Sequence, residues 1–208
     1  MERDHPIFDQ IADGLSEPGF AVIPEFLSDQ EVADLQEVIF AWKEEGEMRR
    51  AGIGSQLGFQ VNREIRGDLI RWVDTMDPNP AVTGYLDRIK RMMEFLNRTC
   101  FLGLKDFEMH YTAYPSGTFY QRHSDRFQTV AHRVVSVVLY LNPDWKEEDG
   151  GQLIIYHGDE EREVVSPRGG TLAVFRSELE HEVLPTYQTR YSITGWMLDQ
   201  LASLTFLK

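Results

Sequence analysis

From Lys105 onward the chain is cut into short β-prone segments by turn-forming clusters, and this punctuation limits how it can fold. The segments are residues 108–114, 119–123, 133–141, 152–156, 163–165, 171–175, 182–184 and 190–198, separated by Pro-Ser-Gly, Asn-Pro-Asp, Asp-Gly-Gly and Pro-Arg-Gly-Gly. Eight short strands so joined predict a jelly roll or a related closed β-architecture, because closure removes the sheet edges that short strands leave open.

The first half reads differently, as helical cladding around a few strands. Ile7, Phe8, Ile11 and Leu15 recur at helical spacing, and 20–23 reads as a strand entered through Pro18-Gly19. Ser28 and Glu31 have the form of a capping box. The helix they start carries the apolar stripe Val32, Leu35, Val38, Ile39 and Trp42. A second long helix is predicted over 79–97, with Val82, Leu86, Ile89, Met93 and Leu96 inward. Between these helices Gly52, Gly54 and Gly58 mark a loop that leads into an expected strand over 64–72. The expectation is mostly β with flanking helices in one domain, 1–208, with 1–105 as mainly helical support plus a substrate loop and 106–200 as the jelly-roll core.

Charge excludes one class of partner. With a formal net charge of -13 and no basic stripe, the chain is unsuited to a nucleic-acid backbone. No apolar run approaches membrane-spanning length, the first residues lack the order of a secretory signal, and a single cysteine, Cys100, excludes an internal disulfide. These features lead us to expect a cytoplasmic protein with no membrane partner. The oligomeric state has no sequence signal.

The chemistry concentrates at His123-Ser124-Asp125, His181 and Arg190. Residues two apart on a strand or at its end project to one side, so His123 and Asp125 can present a nitrogen and an oxygen to one ion. A second imidazole from His181 would complete two histidines and a carboxylate, the set that grips iron by one face and leaves positions open. Arg190, Ser192, Thr194 and Trp196 alternate with Tyr191, Ile193 and Met197 along the last strand, and so share a face. An inward arginine needs an anion, and no protein carboxylate has matching parity, so a ligand carboxylate is the candidate.

The segments 114–125, 140–145, 150–153 and 181–194, with Ile65-Arg66-Gly67-Asp68 and Trp72 upstream, resemble the iron and 2-oxoglutarate dependent prolyl hydroxylases. The likeness is to the branch that acts on hypoxia-inducible transcription factors, including its bacterial relatives. It implies a double-stranded β-helix of cupin type and Fe(II) held by His123, Asp125 and His181. Tyr140 and Arg190 would hold the far carboxylate of 2-oxoglutarate, Tyr114 would sit near its chelating end, and Leu153 and Thr194 would line its pocket. Trp72, Tyr120, Arg133 and Trp196 would face a prolyl substrate, and Arg66 would pair with Asp68 to set the substrate loop. The implied reaction consumes dioxygen and 2-oxoglutarate, releases succinate and carbon dioxide and hydroxylates a protein proline, with ascorbate as a reductant. A translation component is the substrate class the bacterial members suggest.

Two histidines stand outside that scheme. His110 shares parity with Thr112 and Tyr114 and reads as a structural histidine or a hydrogen bonder behind the site. His132 abuts the start of a strand and is surplus to the ligand set. Other readings of the same residues are an oxygenase of a free amino acid, with Arg133 clamping its α-carboxylate, and a metal-binding jelly roll without turnover.

Overall fold

A computed structural model of the chain describes residues 5–51, 65–126 and 131–202. The loop bearing Gly52, Gly54 and Gly58 lies outside the described residues. Helix α1 (His5–Ser16) buries Phe8, Ile11, Ala12 and Leu15, and strand β1 (Phe20–Ile23) follows. Helix α2 (Asp29–Glu44) begins with the capping box: the Ser28 side chain accepts from the Glu31 amide while Glu31 reaches back to the Ser28 amide. Strands β2 (Arg49–Arg50) and β3 (Leu69–Trp72) precede α3 (Pro80–Cys100), which Asn79 caps by accepting from the Ala81 amide. Proline at its first position and a left-handed Phe101 at its end bound this helix. The remaining strands are β4 (Asp106–Tyr114), β5 (Tyr120–His123), β6 (Arg133–Tyr140), β7 (Leu153–His157), β8 (Glu160–Val165), β9 (Leu172–Arg176), β10 (His181–Val183) and β11 (Arg190–Leu198).

Two antiparallel sheets face each other as a jelly roll. The larger runs β1-β9-β6-β11-β4-β3-β2 and the smaller β5-β10-β7-β8. One face of the larger sheet, with Met109, Tyr111, Val135, Val137, Leu139, Ile193 and Met197, packs on Ile11, Leu35, Ile39, Ile89 and Leu96 of the helices. Its other face presents Tyr114, Val138, Tyr140, Ala173 and Phe175 to Leu153, Ile155, Val165 and Val183. Strand β6 is therefore buried on both faces, which explains its nearly unbroken apolar run. Each aliphatic side chain so enclosed contributes about 1.5–3 kcal/mol by leaving water.

The structure adjusts several sequence expectations. Strands β1, β2 and β3 from the first half join the larger sheet, so that half adds sheet edge as well as helical support. The strand expected over 64–72 is regular only from Leu69, although Arg66 makes an isolated bridge to Tyr120. Strands β5 and β10 are neighbours, and His181 pairs directly with His123 in their register.

Candidate active site

Three side chains converge where β5 and β10 meet. His123 ends β5, Asp125 lies two residues beyond it, and His181 opens β10. Their candidate ligand atoms all lie within 4.8 Å of one another, the one such group among the described residues. His181 Nε2 is 3.5 Å from Asp125 Oδ2, and His123 Nε2 is 3.8 Å from Asp125 Oδ1. Each imidazole is turned by its other nitrogen: His123 Nδ1 donates to the Gln121 carbonyl at 2.7 Å and His181 Nδ1 to the Leu179 carbonyl at 3.0 Å. Those bonds select the tautomer that leaves both Nε2 lone pairs aimed at a common ion. Asp125 Oδ2 accepts from Ser136 Oγ at 2.7 Å, and Ser136 in turn contacts Ser177 Oγ at 2.9 Å. Burial alone would raise the Asp125 pKa, but the two imidazoles, Arg133 and the Ser136 hydroxyl outweigh it and hold the carboxyl below its usual range. The acid is therefore ionised and ready to ligate.

The second feature is a buried cation. Arg190 begins β11, is 2% exposed, and pairs with no carboxylate among the described residues. Its guanidinium carbon sits 5.0 Å from the Tyr114 ring centre and 4.9 Å from that of Tyr140. Arg190 Nε and Tyr140 Oη are both buried without a hydrogen-bond partner. Burial raises the pKa of Tyr140, with Arg190 opposing, so the hydroxyl keeps its proton as a donor. A buried guanidinium against a buried hydroxyl, with no carboxylate partner among the described residues, suits a ligand carboxylate. Leu153 packs in the same apolar cluster as Tyr114 and Tyr140. Half-buried Thr194 lies at the end of a hydroxyl row, with Thr112 Oγ1 at 3.5 Å and Ser192 Oγ at 3.4 Å.

The outer wall is aromatic. Trp72, 47% exposed, lies 5.3 Å from His110 and 6.5 Å from Trp196 between ring centres. Arg66 and Asp68 form a two-pronged pair, Nε to Oδ1 at 2.7 Å and Nη2 to Oδ2 at 2.6 Å. Tyr120 stacks on the His123 ring. Arg133 has a partner within the protein: Glu108 Oε1 accepts from its Nε at 3.2 Å and its Nη2 at 2.9 Å, and the guanidinium lies 3.4 Å from the Trp196 ring centre. A cation already paired and stacked is a poor clamp for the α-carboxylate of a free amino acid. His132 lies outside the triad, in the turn before β6, where its carbonyl accepts from the Asp199 amide.

Comparison with known proteins gives this geometry a family. Residues 109–198 match the family model of the 2OG-Fe(II) oxygenase superfamily. A Pseudomonas putida prolyl-4-hydroxylase structure is 38% identical, aligns with 94% of this chain and 100% of its own, and superimposes with a TM-score of 0.84. The chain belongs to the 2OG-Fe(II) oxygenase superfamily. A Trichoplax adhaerens prolyl hydroxylase, solved with a hypoxia-inducible factor oxygen degradation domain peptide fragment, is 27% identical with a TM-score of 0.86 over 95% of this chain and 91% of its own. Egl nine homolog 1 of Rattus norvegicus is 30% identical over 196 residues, 89% of this chain and 56% of that protein. The chain thus spans about half the length of that curated relative.

The residues fit the two groups that define this superfamily. The triad supplies two imidazoles and an ionised carboxylate for Fe(II), and the orphaned donors of Arg190 and Tyr140 suit one carboxylate of 2-oxoglutarate. Two contributors escaped the sequence reading, Ser136 behind Asp125 and Glu108 on Arg133, and so did the stacking of Tyr120 on His123. Ser136 had a signal, since it is the lone polar residue inside the apolar run of β6.

His110 makes the fold sensitive to acid. It is 3% exposed, its Nδ1 lies 2.9 Å from Thr112 Oγ1, and burial, reinforced by the positive charge of Arg66, lowers its pKa from 6.5 to about 4. The folded state then binds fewer protons than the unfolded chain between those values, so stability falls as pH drops from about 6.5 to about 4 and levels off below. Integrated over that interval, the loss is about 3 kcal/mol. Urea unfolding of wild type and His110→Met at pH 7 and pH 4.5 is expected to show a smaller acid loss in the variant. Equal losses would assign the acid sensitivity to other groups.

Proposed function

We propose that this chain is an Fe(II)- and 2-oxoglutarate-dependent dioxygenase that hydroxylates a prolyl residue in a protein and releases succinate and carbon dioxide. The observation that carries the reading is the end-to-end likeness to the Pseudomonas putida prolyl-4-hydroxylase, which spans the whole of that structure. Bound together, iron and 2-oxoglutarate supply dioxygen activation coupled to decarboxylation of the cosubstrate. The chain's share is placement. Arg190 and Tyr140 would fix the far carboxylate by a charge-assisted pair and a hydroxyl donor, while Tyr114, Leu153 and Thr194 line the space and exclude water.

Trp72, Trp196 and Tyr120 would receive the substrate. Aromatic walls suit proline because the pyrrolidine ring is apolar and its backbone is already extended, so little freedom is lost on docking. The Trichoplax adhaerens neighbour, with its bound peptide fragment, supports a polypeptide substrate. Within that class we favour a component of the translation machinery, with the reaction taking place in the cytoplasm. The test is mass spectrometry of source-cell extract incubated with Fe(II), 2-oxoglutarate and either wild type or an Asp125→Ala control. An added oxygen on a proline of a defined protein, present only with wild type, is the expected result. Oxygen appearing only on free amino acids, or on no proline, would overturn the proposal.

A further inference from the structure

His123 is the most exposed of the three triad side chains, at 19% against 10% for Asp125 and 7% for His181. Tyr120 stacks on it, the two ring centres 3.6 Å apart at an interplanar angle of 18°. Arg66 lies against the same ring, its guanidinium carbon 4.3 Å from the Tyr120 centre and its Nη1 3.5 Å from the Tyr120 hydroxyl. Arg66 is itself locked by both prongs of Asp68, which is 1% exposed. Asp68, Arg66, Tyr120 and His123 therefore form one continuous stack from the loop to the metal triad.

A backbone route runs in parallel. The Gln121 carbonyl orients His123 by accepting from Nδ1, and the Gln121 amide donates to the Ile65 carbonyl at 2.9 Å. The Gly67 amide donates to the Phe119 carbonyl at 3.1 Å. Only glycine permits that approach, since a Cβ at 67 would sit 2.6 Å from Thr118 Cβ. The segment 65–68 is thus zipped to residues 119–121 through side chains and main chain together.

We propose that Arg66, Asp68 and Tyr120 are positioning residues for the iron ligand His123, which makes the loop segment 65–68 a working part of the metal site. An imidazole held in one orientation loses little freedom when it ligates, whereas a loosened one must be ordered at that moment. Coupling is reciprocal, so a ligand that orders the run from Ile65 to Trp72 tightens the metal, and the metal tightens that ligand. The inference rests on the iron assignment and holds whatever the substrate.

The test is calorimetric titration of Mn(II), a redox-stable probe, into the metal-free chain. Arg66→Met and Tyr120→Leu are each expected to bind Mn(II) about tenfold more weakly than wild type, the usual effect of removing a group that orients a ligand. Tyr120→Phe keeps the ring without the hydroxyl and is expected to bind within about twofold of wild type. That recovery separates stacking from a general loosening of the fold, and melting of each apo chain is followed alongside. A loss smaller than about threefold in either Arg66→Met or Tyr120→Leu would overturn the proposal. So would a Tyr120→Phe variant as weak as Tyr120→Leu, or affinity losses that merely track apo melting temperature. Failure here leaves prolyl hydroxylation untouched, because product formation is read separately.

Discussion

Arg190→Met is expected to abolish useful 2-oxoglutarate binding while leaving the apo chain as stable as wild type or more so. The guanidinium is 2% exposed, faces Tyr114 and Tyr140, and has no carboxylate partner among the described residues. Removing one member of a desolvated charge pair costs about 2–5 kcal/mol of binding free energy. At 1.4 kcal/mol per factor of ten, affinity falls by roughly 30-fold to over 1,000-fold. The apo state responds in the opposite sense. A buried guanidinium without an anion is a burden, and an apolar side chain of similar volume relieves it. Titration of 2-oxoglutarate into Mn(II)-loaded protein, with melting curves of both apo chains, reads the two effects. Unchanged affinity would show that the carboxylate binds elsewhere, and a sharply destabilised apo variant would show that Arg190 serves mainly the fold.

That prediction rests on a feature legible in the sequence. Alternation along 190–198 assigned Arg190, Ser192, Thr194 and Trp196 to one face, and the strand does turn Tyr191, Ile193 and Met197 to the helix-packed core. The capping box at Ser28 and the turn clusters between strands were equally legible, because each is a local device. The pairing of strands was not. That His181 lies beside His123 depends on β10 entering the smaller sheet between β5 and β7, a choice made by contacts far apart in the chain. Arg133 teaches the same lesson: its partner Glu108 sits 25 residues earlier, and only the sheet brings the two together. The Tyr120 stack on His123 spans three residues, yet period-two alternation gives no reason to expect it. It follows from the irregular path that lets the register slip between His181 and Val183.

Asp125→Ala is expected to eliminate metal binding and turnover together, with the fold intact. Asp125 is the only charged member of the triad, and its carboxylate oxygens lie 3.8 Å from His123 Nε2 and 3.5 Å from His181 Nε2. Two neutral imidazoles cannot offset a divalent charge in a site this enclosed, so the ion loses both a ligand and its counter-charge. The fold keeps its polar accounts balanced. Ser136 Oγ loses Asp125 but retains Ser177 Oγ at 2.9 Å, so no buried hydroxyl is orphaned. For wild type at a metal concentration about 100 times the dissociation constant, binding adds about 2.7 kcal/mol to stability. For a domain of about this size that corresponds to a rise of roughly 5–11 °C in melting temperature. The variant is expected to show no metal-dependent rise, and succinate formation in the presence of Fe(II) and 2-oxoglutarate should fall to background. A rise that persists in Asp125→Ala would remove this residue from the ligand set. Loss of succinate with the rise retained would instead assign Asp125 to the chemistry rather than to the grip on the ion.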